Sequence, residues 1–527
     1  MNKAIVDISV VVIYLIVMAA VGLWFSRHGR GSKEGYFVGG RSLAWPLVGM
    51  SLFATGISSM QFVGQAGLAY QIGIAAANPQ VIGAFMLGFS AIFFVPMFIR
   101  SNVFTVPDIL EKRYSRSVRT VYSLTILTLG VFTSPFMFYA GGLAVLEILQ
   151  LDAEYLWLSC LIMGTLVGLY TVNGGYTAVV VTDFMQGVLL LIGGLAVIVI
   201  GVMALPSLSV LNELPRERHL DMVLPASDPL MPWTAVITGL MVASLFFATV
   251  NHAMLQKMLG AKSVYHARIG MLLSAMLKVV AVFVIVLPGV VAAYLFPDIT
   301  ADAAFPVMVN RMLPIGISGL VLAAVIAALM SSADSGVNAL SGIVSLNLYP
   351  LVRPNAKEKE SVLVGKIAAA FLIAWSVVAA PFVGNFGLIF PMILMISAYM
   401  ISPIGVCYLV GRFSKTVNRT GALTVMGIGY VVGIYLVICS NFPNLHFLVP
   451  DIILQTNFYH VSPFLFFSYI AIIFVVSWFT QAPDPEKISA FMLTSDIADP
   501  EYRPWYQSYQ FWLGVLIMMI LSTYFIF

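Results

Sequence analysis

Ala328-Leu329-Met330-Ser331-Ser332-Ala333-Asp334-Ser335-Gly336-Val337-Asn338 stands inside a long apolar run, and its reading decides what kind of helix that run makes. On a helix, Ala328, Ser331, Ser332 and Ser335 recur at i, i+3, i+4 and i+7 and share one face. Their hydroxyls, with any carbonyl freed by a local irregularity, form a stripe of hard oxygen atoms. Without thiol or imidazole, such a stripe suits a small hard cation better than zinc or copper. Asp334, just off the centre of the stripe, is a costly charge in lipid unless it meets a cation or a partner. The same residues also suit close helix contact in a membrane, where small side chains let backbones approach. From these residues alone both readings stand.

The chain around the stretch is a polytopic membrane protein. Of its 527 residues, 60% are hydrophobic and 9% charged, and the mean hydropathy is +0.98; no ordinary soluble protein has this composition. Cys160, Cys407 and Cys439 sit in or beside apolar runs, so neither a disulfide framework nor a metal-binding spacing is present. The first apolar run, Ile5 to Ser26, lacks a small-residue cleavage site and is read as a retained helix.

Counting apolar runs of roughly 20 residues predicts an all-α protein of about fourteen spans, near 5–26, 46–72, 79–99, 119–147, 154–172, 178–205, 233–255, 269–296, 315–349, 362–382, 385–411, 420–440, 460–480 and 507–527. Most of the 26 basic residues then fall in alternate loops, among them Arg27, Arg30, Lys33, Arg41, Lys112, Arg113, Lys257, Lys262, Arg268, Arg412 and Arg503. The positive-inside rule makes those loops cytoplasmic and puts both termini outside. The Asn418-Arg419-Thr420 triplet is then inside, where it stays unglycosylated. The predicted units are 1–45 (first helix and basic loop), 46–205, an outer connector 206–232, 233–411, and 412–527 with a proline-rich linker at 481–504.

Two spans carry polar or glycine-bearing interruptions: Ala54-Thr55-Gly56-Ile57-Ser58-Ser59-Met60-Gln61 in the second, and Ala248-Thr249-Val250-Asn251-His252 in the seventh. Unwound backbone at mid-membrane is tolerated where it faces protein or a cavity, and it marks transporter binding sites. Five spans separate the two interruptions, as expected of two inverted repeats, spans 2 to 6 and 7 to 11. The alternative for each is a buried seam of small polar residues. Asp183, Lys278 and Asp334 are ionisable groups inside spans, each costing at least a few kcal/mol. No helix-borne His-Glu-x-x-His, Gly-x-Ser-x-Gly or other catalytic constellation is present, which argues against an enzyme. The tails are too short for a sensor's output domain.

At this point the chain resembles the sodium/solute symporters, and within them the sodium/sugar, sodium/galactose-like branch. The matching runs are Tyr36-Phe37-Val38-Gly39-Gly40-Arg41-Ser42-Leu43, Thr182-Asp183-Phe184-Met185-Gln186, Gln256-Lys257 with Gly260-Ala261-Lys262-Ser263, Leu277-Lys278 with Leu287-Pro288-Gly289, and the Ser331-Ser332 stretch to Leu348-Tyr349. The resemblance implies a LeuT-like 5+5 inverted-repeat core of spans 2 to 11. It implies sodium as coupling ion, bound by the carbonyls of Ala54, Ile57 and Ala328 and the hydroxyls of Ser331 and Ser332. Some relatives have a second sodium site, here matched by Asp183, Ser331, Asp334 and Ser335. Asp334 departs from the serine of that pattern and points to a second cation or to a carboxylate that carries a proton.

The resemblance further implies a small organic solute, a sugar or sugar derivative, contacting Gln61, Gln80, Ser244, Phe247, Asn251, Lys278 and Met395. Gln61 and Lys278 match the pattern; Gln80 replaces a Glu, Ser244 an Asn, Phe247 a gating Tyr and Met395 a Gln. Lys278 without a carboxylate at position 80 suits an acidic sugar. The rival is an amino acid or carboxylate symporter of the same fold. Nothing points to nucleic acid; the expected setting is a plasma membrane, bacterial inner membrane in kind, with the monomer as the functional unit.

Overall fold

The computed structural model describes residues 3–25, 39–101, 103, 105–215, 220–386, 389–441, 453–454, 456–492 and 504–527. Its helices are α1 (Lys3–Phe25), α2 (Trp45–Gly56), α3 (61–72), α4 (Asn78–Phe93), α5 (Arg116–Leu149), α6 (Ala153–Leu169), α7 (Tyr176–Met203), α8 (233–249), α9 (His252–Leu259), α10 (Val264–Leu295), α11 (Ile317–Val352), α12 (Glu358–Gly384), α13 (Phe390–Phe413), α14 (Arg419–Asn441), α15 (Phe458–Trp478) and α16 (Tyr509–Ile526). Among the described residues, twelve helical stretches are long and apolar enough to cross a membrane. Two differences separate this from the expected fourteen. The second half of span 2 and the whole of span 3 run as one stretch, Gln61–Phe93, and α6 and α7 belong to one continuous helix, Leu156–Met203. Tyr36 to Val38, Arg27, Arg30, Lys33, Arg503 and residues 493–503 of the linker lie outside the described residues.

The second span breaks where its sequence says it should. Pro46 starts α2 in the first turn, where a missing N–H is harmless. The helix stops at Gly56, and Ile57 is extended at φ −120°, ψ 109°. The side chain of Gln61 repairs the break, its amide oxygen accepting from Ser58 N at 2.7 Å and Ser58 Oγ at 2.6 Å. A π-helical turn, Gln61–Gln65, follows, and α3 ends at Gly73 with φ +69°, a conformation glycine adopts without strain. The seventh span breaks at Val250 and Asn251. Asn251 Oδ1 accepts Met254 N at 3.2 Å and starts α9, while Tyr122 Oη donates to the freed Val250 carbonyl at 2.7 Å. Protein groups thus satisfy both interruptions, as a low-dielectric setting requires.

Glycines bring the helices of the core close. A Cβ on Gly49 of α2 would lie 2.7 Å from the Gly270 carbonyl of α10, and one on Gly193 of α7 2.8 Å from Ala324 Cβ of α11. The closest approach in this region explains the Leu287-Pro288-Gly289 run: a Cβ on Gly289 would lie 2.1 Å from the Ala66 carbonyl of α3. Neither backbone can yield without moving its helix. Gly289→Ala is therefore expected to destabilise the fold by about 3 kcal/mol, read as a lower melting temperature of the purified protein; an unchanged melting temperature would rule out the close α3–α10 contact.

Several charges assigned to loops or overlooked in the sequence do structural work inside. Arg113, expected in a basic loop, is 1% exposed and donates to the carbonyls of Gly411, Ser414 and Val417 at 3.0–3.1 Å at the end of α13, where a cation meets the negative end of the helix dipole. Lys257, expected in the next basic loop, is also 1% exposed, because the break at Val250 and Asn251 turns α9 inward. Asp7, unnoticed in the first span, is 2% exposed and accepts from Gly316 N, Gly319 N and Ser318 Oγ at 2.9, 3.0 and 2.6 Å. It closes the N-terminus of α11, the helix bearing the serine stripe.

Candidate sodium and solute sites

The serine stripe of α11 faces the break in the second span. Ser332 Oγ lies 3.3 Å from both the Thr55 and the Ile57 carbonyl, and the Ala54 carbonyl accepts the Ile57 N–H at 3.3 Å. Ala54, Ile57, Ala328 and Ser331 are fully buried and Ser332 is 4% exposed. Of the five positions expected to bind the first sodium, Ile57 and Ser332 are thus brought into direct contact. Ala54 stands at the same break, and Ala328 and Ser331 lie on the turn of α11 that carries Ser332. Thr55 was not anticipated; its position inside the quoted Ala54–Gln61 run was the available signal.

Of the positions expected to hold a second cation, Ser331 meets Asp183, while Asp334 and Ser335 meet each other. Asp183 Oδ1 accepts Ser331 Oγ at 2.7 Å, and its Oδ2 accepts Ser51 Oγ at 2.6 Å and Lys257 Nζ at 2.7 Å. Both charged side chains are nearly or wholly buried, and Lys257 Nζ also stands 5.5 Å over the Tyr176 ring. Asp183 thus ties α2, α7, α9 and α11 together. Ser335 Oγ bonds Asp334 Oδ1 at 3.1 Å and Thr55 Oγ1 at 3.2 Å. The ammonium beside Asp183 is the feature sequence reasoning missed, since Lys257 was counted with a loop.

On the other side of the break lies a cavity of about 240 Å³, lined by residues of the break and of α3, α4, α5, α8, α10 and α13. Gln61, Gln80, Ser244, Phe247, Asn251 and Lys278 all line it. Met395 does not. It packs against Tyr399, Leu436 and Val461, while Phe390, Ile393, Leu394, Ser397 and Ile401 present the cavity face of α13. One residue is about 100° of helix, enough to turn position 395 away. Ser397 and Thr133 are polar lining residues that sequence reasoning passed over. Lys278 Nζ donates to Gln80 Oε1 at 2.9 Å, Gln80 Nε2 to Gln65 Oε1 at 2.7 Å, and Gln65 Nε2 to the Ala76 carbonyl at 2.8 Å.

With this geometry in view, the likenesses to known proteins are specific. The model of the sodium:solute symporter family matches residues 36–429. Sodium/myo-inositol cotransporter 2 of Mus musculus is 32% identical over 531 residues, covering 92% of this chain and 78% of that protein. Sodium/glucose cotransporter 1 of Oryctolagus cuniculus is 32% identical over 535 residues, covering 91% and 80%. A solved Na+-coupled sialic acid symporter in a substrate-bound outward-open state superposes with a TM-score of 0.77 at 20% identity, over 92% of this chain and 100% of that one. This last likeness shows the fold alone, the LeuT-like helical fold. The family match spans both breaks, the serine stripe and the cavity, and the chain belongs to the sodium:solute symporter family.

Proposed function

We propose that the chain couples sodium to the import of a sugar or cyclic polyol, neutral or acidic, across the plasma membrane, acting as a monomer with both termini outside. The observation that carries this reading is that Gln61 belongs to both sites. It lines the cavity, and its amide oxygen holds Ser58 at the break, next to the Ile57 carbonyl facing Ser332. Sodium held by the carbonyls of Ala54, Ile57 and Ala328 and the hydroxyls of Ser331 and Ser332 draws α2, the break and α11 together and thereby sets Gln61. The solute then meets Gln61, Gln80, Ser244, Asn251 and Lys278, with Phe247 beside it. Several convergent polar groups suit a polyhydroxylated ligand, since each unmatched buried group costs about 1–3 kcal/mol. The relatives named for myo-inositol and glucose support the same class.

Rocking of the two repeats, spans 2 to 6 against spans 7 to 11, exposes the sites to the cytoplasm, where low sodium releases both ligands. A membrane potential of ~100 mV supplies about 2.3 kcal/mol per charge and a tenfold sodium gradient about 1.4 kcal/mol. One sodium thus supports accumulation of several hundredfold. A second cation at Asp183, Asp334 and Ser335 has to displace the Lys257 ammonium from Asp183.

A thermal-shift screen of the purified protein against sugars, polyols, amino acids and carboxylates, in sodium and in matched potassium, tests the reading. Sugars or polyols are expected to stabilise in sodium alone, by mass action on the folded state. Stabilisation by amino acids alone would transfer the site to the rival class. Equal stabilisation in both salts would remove the sodium assignment.

A further inference from the structure

Resting on this reading of the cavity, we infer that the preferred solute carries an anionic group, a carboxylate on a sugar-sized ring, which pairs with Lys278. Among the described lining residues Lys278 is the one ionisable side chain, and it is 5% exposed. A buried ammonium has three donors and needs acceptors for them. Lys278 has Gln80 Oε1 at 2.9 Å, a neutral amide, and the face of Phe247 at 5.4 Å. Gln80 adds no charge of its own. Its orientation is fixed by the onward bonds to Gln65 and the Ala76 carbonyl, so its oxygen, not its NH2, meets the ammonium.

The Lys257 ammonium, also buried, has a carboxylate of the protein at 2.7 Å; Lys278 has none among the described residues and faces the cavity. A ligand carboxylate is the group that completes it, through charge-assisted hydrogen bonds. The other walls tell the rest of the ligand's chemistry: Phe247, Met137 and Leu394 offer apolar faces to a ring, while Ser244 and Asn251 offer hydroxyl partners.

The probes are D-glucuronate and D-galacturonate against glucose, galactose and myo-inositol, each titrated by thermal shift in sodium and in potassium, on the wild type and on Lys278→Gln. In sodium the wild type is expected to bind a hexuronate about tenfold or more tightly than its parent hexose, the yield of a hydrogen bond to a charged group. Lys278→Gln is expected to erase that ratio, and Lys278→Arg to keep part of it. A parent hexose or myo-inositol binding the wild type as tightly as the hexuronate overturns the inference and leaves the proposed function standing; the wild-type ratio decides this even if the variants fail to fold. Absence of any sodium-dependent sugar response, with a response to amino acids, overturns the proposed function itself.

Discussion

Asp183→Asn is expected to destabilise the protein by about 3–5 kcal/mol, the cost of leaving one member of a buried ion pair without its partner. Asp183 presents two oxygens to three donors, Ser51, Ser331 and Lys257. Asparagine keeps one oxygen and turns an NH2 toward groups that are themselves donors. The Lys257 side chain, 2% exposed, cannot reach water without moving α9. The second variant of the cycle, Asp183→Asn with Lys257→Met, removes the stranded ammonium and is expected to recover most of the loss, because replacing both partners of a buried pair is often close to neutral. Melting temperatures of the four proteins, wild type, both singles and the double, give the coupling directly. If Asp183→Asn melts with the wild type, the ion pair is not what holds α7 to α9.

That pair also marks the limit of what the sequence discloses. The break in the second span is legible because glycine and serine in mid-span announce it, and the Gln61 repair follows from an amide three residues beyond Ser58. The serine stripe is legible because helical spacing alone puts Ser331, Ser332 and Ser335 on neighbouring turns. Lys257 is not, since its distance from Asp183 along the chain hides a meeting that only the turn at Asn251 creates, and its neighbours Lys262 and Arg268 suggest a basic loop. Arg268 itself is 1% exposed, with its guanidinium 4.4 Å from the Tyr509 ring. Met395 shows a different limit. Facing direction on α13 changes by about 100° per residue, so a correspondence carried over one position out of phase places a side chain on the α14 and α15 side instead of in the cavity. The described spans number fewer than the expected fourteen where helical structure runs on past an expected span boundary, through Gly73–Ala77 and along Leu156–Met203.

Ser332→Ala is expected to raise the sodium concentration for half-maximal transport by about 10–100-fold, the range given by losing an interaction of about 1.5–3 kcal/mol with a charged group. The Ser332 hydroxyl is well placed to give such an interaction. Its 3.3 Å contacts to Thr55 O and Ile57 O are long for a hydroxyl bond, so it surrenders little when it turns a lone pair to a cation. Ser331 differs. It donates to Asp183 at 2.7 Å, which leaves its lone pairs free for the proposed sodium, so Ser331→Ala is expected to remove a proposed ligand and also one donor of the Asp183 cluster. Sodium titrations of solute uptake separate the two: Ser332→Ala is expected to shift the half-saturation with the maximal rate recovered at high sodium, and Ser331→Ala to lower the melting temperature as well. Linkage adds a check that a merely structural defect does not meet. Whatever factor Ser332→Ala takes from sodium's assistance to the solute, it must take equally from the solute's assistance to sodium. An unchanged sodium half-saturation in Ser332→Ala would remove Ser332 from the site and leave the α2–α11 contact as helix packing alone.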